Sequence, residues 1–345
     1  MTVVVKLGTS LVVGRGGSVR RALLRRRAGE IAAIVKSGEP VAVVSSGAIA
    51  LGLPRLGVER RPRSLPKLQA ASALGQSRLQ QTWERALARE GVSAAQILLT
   101  ASDVADRAAY VNARNALLAL FALGAVPIVN ENDATATDEI AFGDNDALAA
   151  HVAILVRARL LVLLTEVDGV YTRAPGSPDA RPVRDGTALG DVAFGSGSKL
   201  GRGGMRSKVL AAGMASEAGI PTVIADGAPA EVLGPIVSGE PRGTRFQGAD
   251  RELSAYKLWL RFAREPVGAL HVDEGARRAV AKQGRSLLAV GVVRCDHDFE
   301  AGAVVELVAP DGAAFARGVA GASASEIAAR PVGLEAVHRD RLVVY

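Results

Sequence analysis

The sequence predicts a three-layer α/β/α sandwich around a mainly parallel central sheet, followed by a small, mostly β module. Three observations predict it. Short apolar runs rich in Val, Ile and Leu recur through residues 1–225, the pattern of strands buried on both faces. Segments of helical period alternate with them, which places helices on both faces of one sheet. After residue 265 the pattern changes to short strands separated by glycine turns. The 345 residues therefore divide into a first domain over 1–250, a linker over 251–264 and a second domain over 265–345.

Composition supports a folded chain: 49% of residues are hydrophobic and 22% charged, enough for a sizeable core. No run of about 18 apolar residues is present, so no membrane span is expected. The chain enters its first strand without a basic segment ahead of an apolar stretch, and a cytoplasmic location follows as an expectation. The single cysteine, Cys295, excludes an internal disulfide framework and a cysteine-built zinc site. Histidines at 151, 271, 297 and 338 are scattered, and no metal site is predicted. The net charge of +7 suits anionic ligands without choosing among them. Arginine supplies 35 of the 42 basic residues, and two of the few lysines, Lys6 and Lys208, sit in or beside glycine-containing stretches.

Taken in order, Val3-Val4-Val5 reads as a buried strand that runs into Lys6, Leu7 and the turn Gly8-Thr9-Ser10. A lysine at the carboxyl end of a central strand lies where open α/β sheets bind ligands. The arginines at 15, 20, 21 and 25–27, with Ile31, Ile34 and Val35, read as a surface helix whose charged side suits solvent better than a nucleic-acid contact, the alternative reading. Strand 40–44 ends in Ser45-Ser46-Gly47-Ala48, where hydroxyls, backbone N–H groups and a helix start suit a carboxylate or phosphate. The same serines also suit simple helix capping. A helix from Gly75 to Ala88, a strand over 97–100 and one long amphipathic helix from Asp103 to Leu123 follow.

Strand 126–129 ends in Asn130-Glu131-Asn132-Asp133, and a loop leads to Gly143-Asp144-Asn145-Asp146 and an apolar helix to Val156. Asp and Asn also cap helices. Two such clusters within seventeen residues read better as a site for a small polar ligand bearing an amine. Strand 160–164 ends in Thr165-Glu166. A glycine-rich loop from Gly195 to Gly204 enters a helix through Met205-Arg206-Ser207-Lys208, and strand 221–225 completes the alternation. Residues 238–265 read as a linker holding one short strand, Lys257 to Phe262. Beyond it come a helix from Glu274 to Gln283 and strands near 287–293, 304–308 and 315–319.

Paired lysines, glycine-rich loops and carboxylates suit phosphoryl transfer, where catalysis is mainly positioning and charge neutralisation. The chain has no G-x-x-x-x-G-K-[ST] loop, no G-x-G-x-x-G after its first strand, and neither H-R-D nor G-x-S-x-G. Five stretches in order carry a resemblance: Val4 through Ser10, Ser46 through Ala50, Asn130 through Asp133, Gly143 through Asp146, and Gly203 through Lys208. Together they resemble the glutamate 5-kinase family of the amino acid kinase superfamily. The C-terminal module looks like a PUA domain, through Val272-Asp273-Glu274-Gly275-Ala276 and Ala336-Val337-His338-Arg339-Asp340.

The resemblance implies the amino acid kinase fold and ATP-dependent phosphorylation of the γ-carboxylate of L-glutamate. Carried over by position, it implies that Lys6, Lys208 and Asp146 are catalytic. Ser46, Gly47, Asp133 and Asn145 would bind glutamate. Lys6, Gly8, Thr165, Glu166, Arg202, Gly203, Gly204, Met205, Arg206, Ser207 and Lys208 would contact ATP, with Mg2+ bridging its phosphates. Glu166 stands where family members commonly carry aspartate, and Arg202 where they carry threonine. The resemblance further implies a homo-oligomer and proline as a feedback inhibitor, and makes a glutamyl phosphate reductase a candidate partner. RNA binding is the competing reading from the PUA-like module and the basic charge. An aromatic content of 4% leaves few stacking platforms for it.

Overall fold

The computed structural model describes residues 1–58, 62–135, 145–173, 175–189, 204–250, 257, 260–261 and 266–345. The chain divides into two compact units, Met1–Glu252 and Leu253–Tyr345.

The strands of the first unit are β1 (Val3–Leu7), β2 (Val41–Ser45), β3 (Ala94–Leu99), β4 (Val126–Glu131), β5 (Leu160–Thr165), a small pair β6 (Val170–Tyr171) and β7 (Pro182–Val183), β8 (Thr222–Asp226) and β9 (Thr244–Phe246). Its helices are α1 (Thr9–Val12), α2 (Arg21–Lys36), α3 (Ala48–Gly52), α4 (Leu65–Ala88), α5 (Ala101–Ala105), α6 (Arg107–Ala122), α7 (Asn145–Val156), α8 (Met205–Glu217) and α9 (Leu233–Val237). Seven strands form one sheet in the order β3-β4-β2-β1-β5-β8-β9, parallel except for β9. The apolar N-terminal run thus sits mid-sheet, with β2 and β5 as neighbours, because only a central strand can bury all five of its residues.

Alternation along β1 decides what each face receives. Val3, Val5 and Leu7 join a core with Leu24 and Ile31 of α2 and Leu79 and Trp83 of α4. Val4 and Lys6 point to the opposite face, where α7 packs on β1. Helix α7 is apolar around most of its circumference, and its residues from Asp146 to Val156, Ala147 excepted, are buried. The indole Nε1 of Trp83 donates to Ser45 Oγ at 2.9 Å and ties α4 to the end of β2.

The structure corrects several expectations. The single helix over 103–123 is two, because Asp106 sits in extended conformation and accepts from the Ala109 N–H as the cap of α6. Thr100 follows strand β3, and with Asp103 forms a capping box that starts α5. Helix α4 begins ten residues earlier than expected, at Leu65. Residues 238–265, read as a linker with a strand at its far end, contain the sheet strand β9. Lys257, Leu260 and Arg261 are helical, and the rest of 257–262 lies outside the described residues. Arg27 does not belong to a solvated helix side. It is buried, donates to Pro229 O and Ala230 O at 2.7 Å each, and pairs with Glu30.

The second unit contains β10 (Gly268–Val272), α10 (Glu274–Ala281), β11 (Leu287–Leu288), β12 (Val292–Asp296), β13 (Val304–Val308), β14 (Ala314–Ala320), α11 (Ala324–Ala328) and β15 (Glu335–Val344). Its six-stranded sheet runs β11-β15-β14-β13-β10-β12 and is antiparallel except between β10 and β13. The strand expected over 287–293 is interrupted by a 3₁₀ turn at Ala289–Gly291, and the structure adds β15 to the expected strands.

Candidate functional site

The parallel strands β1, β2, β4 and β5 end on one side of the sheet, and each delivers polar residues there. Lys6 is the penultimate residue of β1, and Ser46 follows β2. Asn130 and Glu131 close β4, and Thr165 closes β5. Register places Leu7 beside both Ser45 and Leu164, so these ends are level.

Asp146 lies in the first turn of α7 and is 0% exposed, while Lys6 is 2% and Lys208 7% exposed. Its Oδ1 pairs with Lys6 Nζ, and its Oδ2 accepts from Lys208 Nζ at 3.0 Å and from Ser207 Oγ at 2.9 Å. Lys208 Nζ also donates to Gly204 O at 2.9 Å. One buried carboxylate therefore orients two ammonium groups from elements more than 200 residues apart in sequence. The trio brings two cations and one anion together in a place of low dielectric, a preset arrangement that suits an anionic ligand. Glycines lie against both cations: a Cβ at Gly8 would stand 3.9 Å from Lys6 Nζ, and one at Gly204 3.3 Å from Lys208 Nζ.

The neighbouring residue on α7 serves a second cluster. Asn145 Nδ2 donates to Ser46 Oγ and to Asn130 Oδ1, both at 2.8 Å, and Asn130 Nδ2 donates to Gln76 Oε1 at 2.8 Å. Asp133 Oδ2 accepts from Ser72 Oγ at 2.6 Å. Gly47 turns the chain from β2 into α3 at φ +118, a conformation costly for any residue with a Cβ. Thr165 takes part in the sheet beside Asp226, and Gly227 N–H donates to its carbonyl at 2.8 Å. Glu166 is exposed and lies 3.8 Å from Arg20. Met205 and Arg206 occupy the first turn of α8. Arg202, Gly203, Gly143 and Asp144 lie outside the described residues.

Lys6, Asp146, Ser207 and Lys208 thus form one contact set, and Ser46 and Asn145 another. Gln76 and Ser72, both on α4, were missed as site residues. Their signal is a pair of polar residues one helical turn apart on an otherwise apolar helix face, beside Gly75. Among the described residues no group of three or more His, Cys, Asp or Glu side chains converges as a metal site. No helix among them is long and apolar enough to cross a membrane.

Comparison with known proteins adds to this geometry. Residues 1–226 match the amino acid kinase family and residues 268–337 the PUA domain. The chain is 42% identical to glutamate 5-kinase of Cupriavidus metallidurans over 361 aligned positions, covering 99% of this chain and 97% of that one. It is 43% identical to glutamate 5-kinase of Burkholderia cenocepacia and 41% to that of Geobacter metallireducens, with the same coverage. Two solved structures share its fold. UMP kinase from Bacillus anthracis superposes with a TM-score of 0.51 at 18% identity, over 73% of this chain and 97% of that one. An isopentenyl phosphate kinase superposes with a TM-score of 0.50 at 23% identity, over 72% and 100%.

Proposed function

This chain belongs to the amino acid kinase family, within its glutamate 5-kinase branch, and we propose that it transfers the γ-phosphoryl group of ATP to the γ-carboxylate of L-glutamate. The products are L-glutamyl 5-phosphate and ADP, and the reaction opens proline synthesis. The observation that carries this reading is the buried Lys6–Asp146–Lys208 trio beside the Ser46–Asn145 cluster, at the ends of four adjacent strands.

The attacking oxygen belongs to a carboxylate that is already ionised at neutral pH, with a reference pKa of ~4.3, so no general base is needed. An oxygen of that carboxylate forms the new bond to phosphorus while the bond to the β,γ-bridging oxygen of ATP breaks, and ADP carries away the electron pair. Lys6 and Lys208 neutralise the negative charge spread over the transferring group, and Asp146 fixes both ammonium groups in advance. Preset charges of this kind cost no reorganisation at the moment of transfer. Gly8 and its neighbours bring backbone N–H groups to the phosphates. Ser46 and Gly47 receive a substrate carboxylate, and Asp133 with Asn145 receives its ammonium.

Thr165, Glu166 and the segment from Arg202 to Lys208 hold the nucleotide. Mg2+ bound by the phosphates of ATP would supply further charge neutralisation there, and among the described residues no group of three or more His, Cys, Asp or Glu side chains offers it a protein cage. The chain acts in the cytoplasm as a homo-oligomer, proline inhibits it at or beside the glutamate site, and a glutamyl phosphate reductase takes the product.

The test is glutamate-dependent ADP formation with Mg–ATP, the acyl phosphate being trapped as a hydroxamate, for wild type and Lys208→Ala. Wild type is expected to form hydroxamate, and the variant to lose roughly 10²–10³-fold in kcat, the usual effect of removing one preset charge-stabilising group. Full activity in the variant would remove Lys208 from the mechanism. Folded wild type that binds ATP yet turns over no glutamate would refute the function.

A further inference from the structure

The polar cluster at the substrate side continues past the residues assigned above, into α4. Three side-chain amides stand in series. Gln76 Oε1 accepts from Asn130 Nδ2, Asn130 Oδ1 accepts from Asn145 Nδ2, and Asn145 Nδ2 also donates to Ser46 Oγ, each at 2.8 Å. An amide has one acceptor end and one donor end, so the orientation of each fixes the next. With both hydrogens of Asn145 in use, its Oδ1 is left without a partner although the atom is buried. Ser46 Oγ accepts from Asn145 and keeps its own hydrogen to donate. The series therefore presents an acceptor at Asn145 and a donor at Ser46, the polarity that an amino acid's ammonium and carboxylate require.

Gln76 is the far anchor of this series, 9% exposed and beyond the residues that face a ligand. Its position depends on an unusually close helix crossing. A Cβ on Gly75 would stand 1.8 Å from Ala48 O, and one on Gly52 1.8 Å from Ala71 O, so α3 and α4 meet backbone to backbone. That crossing brings Ser72 and Gln76, one helical turn apart, against Asp133 and Asn130 respectively.

We propose that Gln76 is a positioning residue for substrate recognition. By accepting from Asn130 it holds the Asn145 amide with its carbonyl oxygen directed to the substrate ammonium. The inference rests on the glutamate reading of the site. Gln76 governs recognition of the ammonium group, acts on binding more than on turnover, and does so through its acceptor oxygen.

The experiment compares wild type, Gln76→Met and Gln76→Glu in the hydroxamate assay, measuring KM for glutamate, kcat, and the inhibition constant of glutarate, which has both carboxylates and lacks the ammonium. Gln76→Met keeps the length and removes the acceptor. It is expected to raise the glutamate KM about tenfold, the worth of one buried hydrogen bond, with kcat changed less than about threefold and glutarate inhibition unmoved. Gln76→Glu keeps an acceptor toward Asn130 and is expected to bring KM back to within about threefold of wild type. A parallel rise in the glutamate KM and the glutarate constant would overturn the proposal, since Gln76 would then merely shape the pocket. An unchanged KM in Gln76→Met, or equal losses in both variants, would also overturn it. If Gln76→Met does not fold, Gln76→Glu keeps the proposal falsifiable, a tenfold loss of glutamate affinity refuting it. Absence of wild-type glutamate turnover would instead sink the functional reading, and this inference with it.

Discussion

Replacing Asp146 by asparagine tests the central trio most directly. The substitution keeps size and removes the charge that two buried ammonium groups share. At 3.0 Å and an effective dielectric near 20, the attraction to Lys208 alone is about 5–6 kcal/mol before desolvation is counted. Deleting one partner of a buried ion pair costs about 3–5 kcal/mol net, because the remaining charge stays buried without compensation. For a unit of this size that corresponds to a fall in Tm of roughly 10 °C. The assay is a thermal melt with and without Mg–ATP. At ~100 times its Kd a ligand stabilises wild type by about 2.7 kcal/mol. The variant is expected to gain more, since phosphate oxygens replace the missing carboxylate beside Lys6 and Lys208. Its kcat is expected to fall by at least about 10² while nucleotide binding survives, as the lysines lose their fixed orientation. A melt within about 2 °C of wild type together with an unchanged kcat would refute the reasoning, since the trio would then matter for neither folding nor transfer.

Other expectations follow from different parts of the fold. Gly75→Ala puts a methyl against the Ala48 carbonyl, so α4 must move; a stability loss of about 1–3 kcal/mol and a raised glutamate KM are expected, and a neutral result in melts and kinetics would show that the helix crossing is slack. His151, buried in α7, has its pKa lowered to about 4 by desolvation. The unfolded chain takes up this proton near pH 6.5 and the folded chain only near 4, so stability is expected to fall as pH drops through that window, by about 3 kcal/mol at most. His151→Gln should flatten this slope in urea melts at pH 4.5 to 7, and identical slopes would remove His151 from the acid response.

The local part of the architecture was legible in the chain. Apolar runs mark every strand of the main sheet except the antiparallel edge strand β9, whereas the helical period running through 103–123 conceals the break that the caps Thr100 and Asp106 make. Of the candidate site, the five polar stretches were identifiable because each follows directly on a strand or opens a helix, where a binding side chain is brought to the sheet edge by local geometry alone. Arg27 went the other way. An arginine in a run of arginines carries no local mark of burial, and only the approach of the 229–230 backbone carbonyls to α2 makes it structural.

Sequence by itself determined the alternation of strands and helices, the β-rich second module and the residue types available at the strand ends, because these depend on periodicity and on neighbours a few positions apart. Tertiary structure alone decided which of those residues meet. That Lys6 and Lys208 share one carboxylate oxygen each, that Asn145 and Asp146 serve two different clusters, and that α4 reaches Asn130 through Gln76 all follow from strand order and one glycine-to-backbone helix crossing. Hydrogen bonds and buried ion pairs require approach within about 3 Å. Separation along the chain holds no information about such contacts until the fold has closed the distance.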